Sequence, residues 1–175
     1  IVNLKAEFDT HSFIQEIEKL KVDYDTVLIS LYYIDAKNAQ VRKRYEDMGY
    51  KVVTSGNRYD QNFIARQKTY ILLADMTMSN EVGTHIGNCT QLEKPHYVFQ
   101  QMLERITSKK GEVARHDSLF TSDEKALAEA EQQEVKNAFS NSTMTQLTTE
   151  QKRIADKYWG ISSIKSAKEL VELFT

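Results

Sequence analysis

Three short polar segments carry the residue types that could do chemistry. The first is Ser79-Asn80-Glu81-Val82-Gly83-Thr84-His85, which leads from an apolar run into a helical pattern. A Gly-Thr pair at a helix start leaves backbone N–H groups free, and the helix dipole favours an anion there. Gly83 would let a phosphate approach the backbone, Thr84 adds a hydroxyl donor, and Gly87 lies four residues on, where it permits close packing. In the competing account Ser79 or Asn80 caps the helix and both glycines serve packing. His85, on the first helical turn, could donate to an anion, act as acid or base, or be a partly buried polar residue. Glu81 could bind a ribose or sugar hydroxyl, or occupy a turn in solvent.

The second segment is Ser55-Gly56-Asn57-Arg58-Tyr59-Asp60. Arg58 could meet the same anion as a planar fork donor. Arg66 follows two turns into the next helix, facing solvent or the cleft. Asp60 most simply caps that helix, and Asp75 reads as structural. The third segment is Tyr32-Tyr33-Ile34-Asp35.

Other chemistries lack their residues. Neither GxGxxG nor a Walker A motif is present, so dinucleotide binding and nucleotide hydrolysis are not indicated. His96, opening a strand after Pro95, reads as structural. His11 and His116 have no partners at metal-ligand spacing, so no zinc site is expected. Cys89 falls mid-helix with no histidine paired to it in the sequence and reads as core. Being the only cysteine, it can form no internal disulfide, which favours a reducing compartment. The 175 residues are 41% hydrophobic and 27% charged, ordinary for one globular domain, alone or with an appended helical tail. A net charge of −2 gives no positive field for nucleic acid. No run approaches the roughly 18 apolar residues of a membrane helix.

The pattern between these segments predicts what positions them. Asp9-Thr10 can cap a helix from about His11, with Phe13, Ile14, Ile17 and Leu20 at helical spacing. Residues 26–33 read as a strand apolar on both faces, as in a parallel sheet covered by helices. Helices are expected over 36–48, ended by Gly49, and over 60–73, with Phe63, Ile64, Tyr70 and Leu73 in the core. Gly83 to Leu92 is the next helix. Strands are expected at 51–54, 75–79 and 96–99. This β-α-β alternation implies a parallel sheet with right-handed crossovers. The polar segments would then leave the carboxyl ends of its strands, where open α/β sheets bind ligands. Residues 101–121 read as an exposed loop. A helix from Ser122 to about Phe139 follows, then capping boxes at Thr148/Gln151 and Ser166/Glu169. The last three helices are expected to fold back onto the sheet. The organisation is thus a core over 1–100, a loop over 101–121 and C-terminal helices over 122–175.

The order Gly56-Asn-Arg-Tyr-Asp-Gln-Asn-Phe63, Leu73-Ala-Asp75, Ser79-Asn-Glu-Val-Gly-Thr-His-Ile-Gly87 and Leu92-Glu-Lys-Pro95 resembles the donor-binding half of GT-B glycosyltransferases. The likeness is greatest to enzymes of bacterial capsule and surface polysaccharide. The tail around Lys157-Tyr-Trp-Gly160 and 164–170 is similar to the ending of such proteins. The resemblance implies an α/β, Rossmann-like parallel sheet with helices on both faces and a helical C-terminal tail. It implies a nucleotide-sugar donor whose phosphate rests on the Gly83 helix start, touched by Thr84 and His85. Base and ribose would lie near Ser55, Gly56, Asn57 and Arg58, with Ser79, Asn80 and Glu81 completing the binding set. The nucleotide sugar is a substrate, so no cofactor and no metal are expected. A saccharide or lipid-linked acceptor, an N-terminal domain or second chain to complete the cleft, and a cytoplasmic location, in solution or at the inner membrane face, follow from the same resemblance. No Glu-x7-Glu pair follows the loop, so no retaining mechanism and no catalytic residue is assigned. A sugar-nucleotide 2-epimerase-like domain, a flavodoxin-like flavin protein and a non-enzymatic interaction module are the alternatives.

Overall fold

The computed structural model describes residues 4–107, 120–143 and 145–174 of the chain. They form an α/β protein whose contacts divide it into two compact units. One unit is Thr10–Ala74. The other gathers the segment up to Asp9 and the chain from Asp75 onward. Both boundaries fall inside the stretch 1–100.

In the Thr10–Ala74 unit, α1 (Thr10–Leu20) is followed by a 3₁₀ turn, Lys21–Asp23. Strands β2 (Leu28–Ser30) and β3 (Lys51–Val53) then pair in parallel, with Ile29 opposite Val52. Strand β2 is much shorter than the 26–33 expected, and only Ile29 of it is buried. Tyr32 turns the chain into a short helix, α2 (Tyr33–Lys37), so the tyrosines leave the strand. The expected 36–48 helix is also interrupted. Asn38 stops α2, and its Oδ1 accepts the N–H groups of Gln40 and Val41 to begin α3 (Ala39–Glu46). An Asn side chain competes with the helix for backbone donors, which makes it a good cap and a poor interior residue. Gly49 adopts φ +81° after α3, as a helix-terminating glycine should. The next helix, α4 (Phe63–Leu73), buries Ile71, while Ile64 and Leu73 are exposed rather than in the core.

The other unit contains a second parallel pair, β4 (Thr77–Ser79) with β5 (His96–Val98). All of β5 is buried, as suits a strand covered on both faces. Between the two strands runs α5 (Thr84–Gln91). Residues 103–107, expected as loop, are a strand: β6 (Leu103–Thr107) pairs antiparallel with β1 (Leu4–Phe8). This partnership joins distant parts of the chain and has no local signature. The remainder of the loop through residue 119, His116 included, lies outside the described residues.

Helix α6 (Ser122–Ala138) starts at a Thr121/Glu124 capping box. Helices α7 (Thr149–Trp159) and α8 (Ala167–Leu173) start at the expected boxes on Thr148 and Ser166. The core is Ile86, Val98, Val135, Phe139 and Ile154, so α6 and α7 close over α5 and β5. The Phe139 carbonyl accepts the Val98 N–H at 2.7 Å. Glu134 on α6 binds Lys157 and Tyr158 on α7 at 2.6 and 2.5 Å. Helix α8 buries none of its residues. Leu170, Leu173 and Phe174 are exposed, so α6 and α7 contribute buried apolar side chains and α8 does not.

The caps give a first expected result. Thr148→Ala removes the acceptor of the Gln151 N–H, 3.1 Å away, at the start of a helix that carries Ile154 into the core. A loss of about 1 kcal/mol in chemical denaturation is expected, and Thr148→Ser should restore most of it.

Candidate functional site

Strand alternation builds the site. Thr77 and Ser79 are two residues apart on β4 and therefore share a face, and His96 lies opposite Thr77 in the β4–β5 register. The imidazole of His96 spans both hydroxyls, with Nδ1 2.8 Å from Thr77 Oγ1 and Nε2 3.0 Å from Ser79 Oγ. The residue is 2% exposed. Burial pushes its pKa down to about 3, with His85 nearby lowering it further. The ring is therefore neutral at physiological pH and carries one N–H. Thr77 Oγ1 also lies 2.9 Å from the Pro95 carbonyl, which already accepts the Thr77 N–H. Ser79 Oγ donates to the Glu81 carbonyl at 2.9 Å. With one N–H, His96 donates to one of the two hydroxyls and accepts at its other nitrogen, so both ring nitrogens have a partner.

The same Glu81 carbonyl accepts from His85, on the first turn of α5. The His85 ring lies 5.4 Å from that of His96, which in turn meets Phe139 edge-on at 6.2 Å. Nε2 of His85 is buried without a hydrogen-bond partner, so Nδ1 is the atom left to bond Glu81. Burial is the largest influence on His85 and lowers its pKa; the Glu81 carbonyl and charge oppose it. Asn80 Nδ2 is likewise buried and unpartnered.

Each glycine of this segment answers to a neighbour. Gly83 has extended backbone, φ −169°, so conformation does not demand glycine. A Cβ there would come within 3.0 Å of the His85 Nδ1 and Cε1. The space at Gly83 thus admits the imidazole. At Gly87 the neighbour is Trp159, whose Cγ would be 2.6 Å from an added Cβ. Thr84 is exposed, and Gly83 provides no side-chain cap to α5, which leaves the first-turn N–H groups without one. Cys89 is 2% exposed and its thiol is held up by burial, as expected of a core position.

The Ser55–Asp60 loop belongs to the other unit and is organised by Arg66. The guanidinium donates to the Ser55 carbonyl at 3.1 Å and to Asp60 at 2.9 Å. It also fills the space beside Gly56, where an added Cβ would lie 2.9 Å from Nη1 at φ +86°. Asp60 Oδ1 accepts the Asn62 N–H and Asn57 Oδ1 that of Tyr59. The backbone N–H of Asn62, followed by Arg66, holds the Asp60 carboxyl below its ordinary pKa. Arg66, read from sequence as facing solvent or a cleft, is the clamp of this loop. Ser55 is buried, whereas Arg58 is exposed with its guanidinium 5.2 Å over the Tyr59 ring. Arg66→Ala is expected to free the loop without unfolding the unit. Amide exchange at Tyr59, Asp60 and Asn62 should accelerate well beyond that of α4, and equal protection in both forms would refute the clamp.

The predicted site residues thus fall into two groups. Ser79, Asn80, Glu81, Gly83, Thr84 and His85 come together around the end of β4. Ser55, Gly56, Asn57 and Arg58 come together after β3. Sequence reading missed Thr77 and His96 as members of the first group. Their signal was the Thr-x-Ser alternation facing a histidine that follows Pro95. No protein family, curated protein or solved structure matches the chain. Among the described residues no group of three or more His, Cys, Asp or Glu could hold a metal, and no helix is long and apolar enough to cross a membrane.

Proposed function

We propose that this chain is the nucleotide-sugar donor-binding domain of a glycosyltransferase of bacterial surface polysaccharide assembly, with a Rossmann-like GT-B fold. The observation that carries the reading is the start of α5. It follows the carboxyl end of a parallel strand pair, the place where α/β proteins bind ligands, and it lacks a side-chain cap. Its first-turn N–H groups, which have no side-chain cap, and the exposed Thr84 hydroxyl suit the donor phosphate, and would stabilise it electrostatically as it leaves. The acceptor, a saccharide or a lipid-linked one, would be brought by an N-terminal domain or a second chain, on the cytoplasmic side.

A thermal-shift titration with UDP, CMP, GDP and ADP tests this. A bound nucleotide at 100 times its Kd adds about 2.7 kcal/mol, several degrees in Tm. Thr84→Val is expected to weaken the responding nucleotide about tenfold or more, since a charge-assisted hydrogen bond contributes about 1.5–3 kcal/mol. Absence of any nucleotide response would instead favour a non-enzymatic interaction module.

A further inference from the structure

One stripe of α1 lines an open groove against the end of α3. His11, Ile14, Gln15, Glu18 and Lys19 recur at i, i+3, i+4, i+7 and i+8, the spacing of one helix face. Arg44, in the last turn of α3, and Met48 beyond it form the other side. The groove has a volume of about 610 Å³, within the roughly 300–1,000 Å³ of small-molecule sites. The stripe runs for two turns, about 12 Å of helix. Its two sides are tied together before any ligand arrives. The Tyr50 hydroxyl donates to Glu18 on α1, and the Tyr50 N–H donates to the Tyr45 carbonyl on α3 at 3.2 Å. Tyr50 is itself buried, which shields that tie from water.

The charges along this groove are not equally available. Glu18 is taken up by Tyr50 and by Lys21, 2.7 Å away. Lys19 pairs with Glu16 at 2.9 Å, and Gln15 Nε2 lies 3.0 Å from His11 Nε2. Arg44 is exposed and forms no ion pair among the described residues. It shares the groove with the apolar Ile14 and Met48, the latter 43% exposed and so open to a ligand. A planar, permanently charged fork matches a carboxylate, and methionine adapts to irregular apolar shapes. We propose that the groove binds an amphipathic monocarboxylate, whose carboxylate pairs with Arg44 and whose apolar chain lies over Ile14 and Met48. A dianionic phosphate would meet the same single uncommitted guanidinium and gain nothing from the apolar sides. The site lies wholly within the Thr10–Ala74 unit, and it stands or falls independently of the nucleotide reading.

Methyl and arginine side-chain NMR of the full chain tests it. Octanoate is the probe, octan-1-ol its uncharged counterpart, and acetate the same head group without the chain. Octanoate should shift the Met48 ε-methyl, the Ile14 δ1-methyl and the Arg44 Nε–H together and saturably at millimolar concentration or below. Octan-1-ol should bind about tenfold more weakly or worse, because it forgoes the charge-assisted bonds, and acetate should leave both methyls where they are. Arg44→Gln should weaken octanoate by about tenfold or more and leave octan-1-ol unchanged, whereas Met48→Gln should weaken both. Arg44 and Met48 are exposed, so neither variant should lower the Tm of the free protein. Any one of four results overturns the proposal: silence of these resonances under millimolar octanoate, shifts confined to other surface methyls, octan-1-ol binding as tightly as octanoate, or undiminished octanoate affinity in Arg44→Gln.

Discussion

Gly87→Ala is expected to destabilise the unit that contains α5 by about 3 kcal/mol, near the upper end of ordinary overpacking costs, and to lower its Tm by about 10 °C or more. The added methyl would lie 2.6 Å from Trp159 Cγ, 2.9 Å from its Cβ and 3.0 Å from Cδ2. These atoms are the root of the tryptophan side chain, not its free end. A change of rotamer can swing an indole away, but it cannot move Cβ, so α5 and α7 must separate. Both helices are anchored in the same core: Ile86 and Ile154 are 0% exposed, as is Phe139 at the end of the helix that covers them. Separation therefore opens a packed interior, and that is the source of the large effect. A double-mutant cycle checks the mechanism. In a Trp159→Ala background the Gly87→Ala change should cost far less, giving a coupling of at least 1 kcal/mol. A Gly87→Ala variant as stable as the parent would mean that the helices do not approach this closely.

The second large effect is a loss of stability in mild acid. His96 titrates near 6.5 when unfolded and about 3 when folded, because burial disfavours the charged ring. Between those values the unfolded chain binds more protons, so acid favours unfolding. The stability is fully present above about pH 6.5 and is lost as the pH falls toward 3, at roughly 1.4 kcal/mol per pH unit for one such group. His85, shifted in the same direction by burial, steepens the loss. Carboxylates with lowered pKa, such as Glu134 beside Lys157 and Glu150 beside Arg153, contribute only below their unfolded value of 4.5. The interval from about pH 6.5 to 4.5 therefore reports the histidines. Denaturant titrations at pH 7.5, 6 and 5 should give successively lower midpoints, and His96→Gln should flatten the trend even if it lowers stability overall. Equal stability at pH 7.5 and 5 would show that His96 is not held neutral between Thr77 and Ser79.

Much of the local structure was legible in the residues. Thr148 with Gln151 and Ser166 with Glu169 each form the expected capping box, since cap and partner are close in the chain and satisfy each other's backbone. The strands at 51–53, 77–79 and 96–98 and the helix from Thr84 fell where short apolar runs and punctuation placed them. Cys89 was recognisable as core. The order of polar loops after strands was also legible, and with it the neighbourhood of the candidate site.

What only the tertiary structure decided was which distant groups meet. Phe63, Ile64, Tyr70 and Leu73 share a helix, yet Ile71 is the buried residue and Ile64 and Leu73 are exposed. A helical period names faces but not what packs on them. The β1–β6 pair depends on closing a very long loop, so nothing near either strand announces it. Gly87 is required by Trp159, Gly83 by the His85 ring, and Gly56 makes room for Arg66. His85 is a near neighbour of Gly83 in the chain, whereas Trp159 is a residue that chain order does not place beside Gly87. His96 gains its two hydroxyl partners from register across a sheet. Hydrogen bonding along the chain is fixed by neighbours in sequence, whereas packing volume and strand register are fixed by long-range closure.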